Sequence, residues 1–87
     1  MTKIYIYCLF DGHGIFYGVY SSLKAIHRDA LKLANKGPVE VTTNIRGVEQ
    51  RPTMKLLWNT FKGVCDVQVE YRNGAHIAKI IKTKLQE

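Results

Sequence analysis

The sequence lacks the short signatures that mark most enzymes and metal sites. Its three histidines, His13, His27 and His76, form neither an HxxxH nor an HExxH pair. Its two cysteines, Cys8 and Cys65, are far from a CxxC spacing. A zinc site needs more ligands at tighter spacing than this, so no metal and no cofactor are expected. Both cysteines fall in alternating apolar runs, where a free thiol serves as a small hydrophobe rather than as a nucleophile. Acids are scarce too, at seven in 87 residues. Asp11, Asp29 and Asp66 lie in separate segments, which argues against a carboxylate pair for acid–base work. Gly12, Gly14 and Gly18 lead from one strand pattern into another, whereas a phosphate-cradling loop leads into a helix. No run of about 18 apolar residues is present, so no membrane span is expected. No apolar leader pattern follows Met1, and the expectation is a reduced, cytoplasmic protein. Linkers, repeats and low-complexity tracts are missing as well, which leaves a single domain, 1–87.

What the chain does have is positive charge. Thirteen Lys and Arg against seven acids give a formal charge of +6 and a pI near 9.5. Such an excess favours nucleic acid or an acidic protein surface as partner. The bland alternative is a lysine-rich surface that does no more than hold water. The most organised part of the charge is a row at four-residue spacing, Lys24, Arg28, Lys32 and Lys36. On a helix these positions share one slowly drifting face, and no acid interrupts the row. Lys32 and Lys36 would also suit the negative end of a helix dipole. Further basic candidates are Arg46 and Arg51 in a loop and Lys79 and Lys82 near the C-terminus.

The hydrophobic pattern predicts the elements. Residues 3–10 and 15–20 are β-branched and aromatic, with Asp11–Gly14 as the turn between them, which reads as a hairpin. Symmetric pairing sets Tyr7 opposite Gly18. It puts Ile4, Ile6, Cys8, Phe10, Ile15, Tyr17 and Val19 on one face and Tyr5, Tyr7, Leu9, Phe16 and Tyr20 on the other. Gly18, inside a strand, signals a bulge or a close contact. Ser21 and Ser22 can cap a helix whose core stripe is Leu23, Ile26, Ala30, Leu33 and Ala34. Gly37 suits a left-handed cap, and Pro38 blocks continuation. Val39 to Thr42 alternates as a short strand, and 44–52 reads as a loop. A second helix follows Pro52, with Thr53 as a competing cap and with Met54, Leu57, Trp58 and Phe61 at helical spacing; Trp58 is expected in the core. Gly63 closes it. Residues 64–71 alternate cleanly, and Asn73-Gly74 predicts a type I′ turn into a returning strand, 76–85, for which a helix is the competing reading. The order is ββαβαββ: an α+β, two-layer domain with two helices on an antiparallel or mixed sheet of about five strands.

The second hairpin face is aromatic. Tyr5, Tyr7, Phe16 and Tyr20 could stack on bases beside a positive groove, or the helices could cover them. Leu9 on the same face favours cover.

The segment Phe16–Ile26, FYGVYSSLKAI, resembles an opening found in small accessory proteins of tailed, T4-like phages. In those, a strand ends in a G-V-[YF]-S-S turn and enters a helix. Met54–Tyr71, MKLLWNTFKGVCDVQVEY, is similar to them too, and together the two segments cover about a third of the chain. The shared motif is structural and carries no catalytic residue. The resemblance implies a host-takeover or counter-defence protein that binds a host or defence factor, sometimes together with RNA. The basic charge matches RNA-binding inhibitors of toxin ribonucleases and departs from acidic DNA mimics. The expectation is a non-enzymatic basic module that binds RNA or another nucleic acid. The alternative is an inhibitor or adaptor for an acidic protein face, and a small enzyme comes last.

Overall fold

The computed structural model describes residues 5–37, 39–62 and 67–84. Among them six strands and two helices run in the order ββαββαββ. These are β1 (Tyr5–Asp11), β2 (Phe16–Tyr20), α1 (Leu23–Ala34), β3 (Thr42–Ile45), β4 (Val48–Gln50), α2 (Met54–Phe61), β5 (Gln68–Asn73) and β6 (His76–Lys84). One sheet holds all six in the order β2-β1-β6-β5-β3-β4. Every neighbouring pair is antiparallel. The α+β class is as the sequence predicts, with one strand more than expected.

The extra strand comes from the stretch 44–52, whose sequence predicts a loop. Arg46 and Gly47 both have positive φ, 53° and 85°, the pattern of a two-residue type I′ turn. Asn44 Oδ1 accepts from Gly47 N at 3.0 Å and steadies it. The strand before the turn is Thr42–Ile45, later than the Val39–Thr42 stretch that alternates in sequence, and Val39 is exposed.

Helix caps follow the sequence closely. Ser22 Oγ accepts from Ala25 N at 3.3 Å, and Thr53 Oγ1 accepts from Leu56 N at 3.1 Å. Each satisfies an amide that the helix itself cannot. α1 stops at Ala34 with Asn35 as its cap, so Lys36 lies beyond the helix. Gly37 does not adopt the left-handed conformation. Glycine is needed there for space: a Cβ would sit 2.6 Å from Asn73 Oδ1.

Both helices lie on one sheet face. Ile26, Ala30 and Ala34 of α1 and Leu57 and Phe61 of α2 bury against Leu9, Ile45, Val69, Tyr71, Ala78 and Ile80. Tyr7 packs edge-on against Phe61 with centroids 5.6 Å apart, and Tyr20 also joins this layer. Of the aromatic hairpin face, Tyr7, Leu9 and Tyr20 therefore cover the core and form no open platform, while Phe16 is exposed. Among the described residues, the opposite face carries no helix. Across it run the rows Val19–Cys8–Ile81–Gln68 and Phe16–Phe10–Lys79–Glu70–Asn44–Glu49.

Each hairpin departs from its expected register by two residues. Tyr7 faces Tyr20 and Leu9 faces Gly18. In the last hairpin the turn centres on Gly74-Ala75, with Asn73 opposite His76. Gly74 alone has positive φ there, a type II′ pattern. A shift of two leaves every face unchanged, because side chains alternate with period two. The returning segment is strand and not helix. A bulge between Leu9 and Phe10 adds one residue to β2. Beyond it the faces exchange: Phe16 meets Phe10 on the open face, while Tyr17 turns to the helix side.

Trp58 is not in the core. It is 59% exposed, while Leu57 beside it is fully buried. The expectations for Gly63, Cys65 and residues 64–66 lie outside the described residues.

Candidate nucleic-acid interface

α1 crosses the sheet beside the β1–β2 hairpin, and the two elements leave a groove between them. One part is a cleft of about 300 Å³ lined by Leu9, Tyr17, Tyr20, Asp29, Lys32, Leu33 and Lys36. A second cleft of about 300 Å³ lies on the other side of Tyr17, lined by Asp11, Gly12, His13, Tyr17, Leu33, Lys36, Ala75, His76 and Ile77. Tyr17, Leu33 and Lys36 belong to both. Tyr17 reaches this position because the bulge turns it, and its side is more than half open to solvent.

The acid within the first cleft is already engaged. Tyr20 donates its hydroxyl to Asp29 Oδ2 at 2.6 Å, and Arg28 Nε donates to Oδ1 at 3.1 Å. The Tyr20 bond, with Arg28 second, holds the Asp29 carboxyl below its ordinary range. The same bond, aided by burial, raises the Tyr20 hydroxyl. Asp29 thus ties the helix to the hairpin and offsets Arg28. Lys24, Lys32 and Lys36 make no ion pair among the described residues.

The other basic candidates do not join this groove. Arg46 lies in the β3–β4 turn, at the sheet edge opposite β2. Arg51 follows β4 and pairs with Glu40 at 3.6 Å, both side chains well exposed. Four inter-strand steps of about 4.8 Å separate β2 from β3. Lys79 stands on the open sheet face, in register with Phe10 and Glu70. Lys82 is 7% exposed; its ammonium donates to the Phe61 carbonyl at 2.5 Å and lies 4.7 Å from the Tyr5 ring centroid. It caps the C-terminal end of α2, a structural task. The sequence grouped basic residues by position in the chain, and the fold separates them over two faces and two edges.

Tyr17, Asp29, His13 and His76 are the groove residues that sequence reasoning passed over. Gly18 was the available signal for Tyr17, since a glycine inside a strand marks a bulge. It also makes room for the Tyr20 ring, 3.4 Å from where a Cβ would stand. The third histidine serves elsewhere: His27 Nδ1 is hydrogen-bonded to the Tyr71 hydroxyl. Burial lowers the His27 imidazole and pushes the Tyr71 hydroxyl well up. With the imidazole neutral, a hydroxyl donating to Nδ1 leaves the ring proton on Nε2.

No described helix is long and apolar enough to cross a membrane. No protein-family model, curated protein or solved structure matches the chain.

Proposed function

We propose that the chain is a non-enzymatic RNA-binding module that uses the α1–hairpin groove. One observation carries this reading: unpaired lysines of α1 and its end line the same cleft as an exposed tyrosine. Single-stranded RNA is held in this way elsewhere, with cations along the backbone and aromatic faces against bases. Lys24, Arg28, Lys32 and Lys36 would track phosphates, and Tyr17 would stack. Nothing in the groove favours a reader of duplex DNA, whose motifs present a helix to the major groove. The resemblance to phage accessory proteins extends the proposal to an RNA-binding inhibitor of a host defence ribonuclease.

The test compares salt dependence in two variants. Lys24→Ala/Arg28→Ala/Lys32→Ala should flatten the log–log slope of affinity against salt by about two units, at roughly 0.7 per lost phosphate contact on single strands. Arg46→Ala/Arg51→Ala should leave the slope nearly unchanged. Equal slopes in the first variant and the parent protein would refute the groove reading.

A second reading, a protein-binding inhibitor or adaptor for an acidic partner, is favoured by the open sheet face. Phe16 and Val19 there are both more than half exposed. The absorbance ratio at 260 and 280 nm before and after a high-salt wash separates the two. Nucleic acid that co-purifies and leaves in salt supports RNA, and clean protein at low salt supports the protein partner.

A further inference from the structure

The two clefts flanking Tyr17 differ in chemistry. The one beside Lys32 is lined by lysine and tyrosine. The other brings together three nitrogen-bearing side chains from three separate parts of the fold. Lys36 comes from just beyond α1, His13 from the β1–β2 turn and His76 from the first position of β6. Each is exposed.

This convergence is built by the fold. Asp11 Oδ1 accepts from His13 N at 2.9 Å and from Ile15 N at 2.8 Å, and Asp11 O accepts from Gly14 N at 3.2 Å. The turn that presents His13 is thus held by its own acid. Gly12 brings the turn against β6, where a Cβ would lie 3.0 Å from Ile77 Cβ. His76 is the residue before Ile77, so the same contact carries His13 toward His76. Next to them, Asn73 is 1% exposed, and neither its amide nitrogen nor its amide oxygen has a partner.

We propose that this second cleft is a phosphodiester-binding subsite for single-stranded nucleic acid, completed when His13 and His76 are protonated. The proposal rests on the RNA-binding reading and deepens it. Lys36 lines both clefts, so a strand following α1 would pass Tyr17 and enter the second cleft without leaving the groove. A phosphodiester keeps one negative charge across the neutral range. Histidine is the side chain that ordinarily changes charge there, near pH 6.5. The other ionisable groups facing the cleft are Asp11, Lys36 and Tyr17, with Lys32 and Asp29 in the adjoining one. Carboxylates, ammonium groups and phenols as classes titrate outside the range between pH 5.5 and 8. Acidification therefore adds positive charge to this cleft and strengthens the grip on a phosphate. The apolar walls, Leu33, Ala75 and Ile77, reduce screening by water.

The experiment measures affinity for a short oligouridylate without terminal phosphates, at constant ionic strength, near pH 8 and near pH 5.5. Binding should be about tenfold tighter at the lower pH, the scale of one charge-assisted hydrogen bond. His13→Gln/His76→Gln should lose the gain, so that the ratio of the affinities near pH 5.5 and pH 8 falls to about one. Both side chains are exposed, so the double variant folds, and its melting temperature verifies this. Lys36→Gln should weaken binding at both pH values. In NMR titrations the pKa of each of the two imidazoles should rise when the oligonucleotide is bound. Binding that ignores pH, or a pH gain that survives in the double variant, overturns the subsite and leaves the RNA-binding reading standing. No binding at either pH overturns both.

Discussion

Trp58 and His27 show how far the role of one residue depends on its surroundings. Leu57 and Phe61 are four apart, as are Met54 and Trp58, and both pairs form stripes on α2. A helix on a sheet buries one such stripe. Leu57 and Phe61 face the core, with Phe61 against Tyr7, and Trp58 is left outside. Its size and hydrophobicity argued for burial, and neither encodes which stripe meets the sheet. Trp58→Ala should therefore change stability by no more than about 0.5 kcal/mol, the range for surface positions. Denaturant unfolding followed by circular dichroism checks this. Since Trp58 is the chain's single tryptophan, the emission of the native protein should already be that of a solvated indole.

At His27 the sign follows from burial. The folded imidazole has a lowered pKa, while the unfolded one titrates near 6.5. Between those values the unfolded chain binds the proton and the folded chain does not. Stability thus falls as pH drops through about 6.5 toward the folded pKa, where the loss ends. The denaturant midpoint should decrease over this window. His27→Gln, which can still accept from Tyr71, should flatten the decrease, and an unchanged slope in that variant would exclude His27 as its cause. Lys82 gives a parallel case: Lys82→Met keeps the apolar stem and loses the bond to Phe61. It should cost about 1.5–3 kcal/mol, the range for hydrogen bonds to charged groups. Thermal unfolding measures that loss, and RNA affinity per folded molecule should not change.

At the scale of elements, caps and alternation were legible and turn geometry was less so. Ser22 and Thr53 cap where their chemistry allows; the last hairpin keeps its expected faces, and the first keeps them up to the bulge, beyond which Phe16 and Tyr17 exchange. Faces depend on alternation alone, which the sequence displays. Register depends on which two residues turn, a choice set by the φ values that the fold imposes. The β3–β4 hairpin escaped notice because Arg46 holds a positive φ that non-glycine residues seldom adopt. Asn tolerates that conformation better and is favoured before Gly in type I′ turns. Arg46→Asn should therefore raise stability by about 0.5–1 kcal/mol, a fraction of the cost of such strain. Differential scanning calorimetry would register the gain. The site was less legible than the fold. The row on α1 could be read directly, but its meeting with Tyr17 depends on a single inserted residue in β2. The junction of His13 with His76 depends on which hairpin ends lie together.

At the scale of the molecule, β6 is the central tie. It pairs with β1 on one side and β5 on the other, and without it the sheet divides into β2-β1 and β5-β3-β4. A two-stranded ribbon is marginal in water, and the three remaining strands lose the Ala78 and Ile80 part of the core. A chain ending after Ala75 should therefore show no cooperative thermal transition, and a sharp one would disprove the central role of β6. The same connectivity governs the order of events during synthesis. Of the six strands β1 is made first, and its inner edge has no partner until β6 follows, some seventy residues later. At about 5–20 residues per second that interval lasts several seconds. Throughout it the hydrogen-bonding groups on that inner edge are open, although β2 is already there to pair with the other edge. The domain closes in one late step, when its sixth strand slots between its first and its fifth.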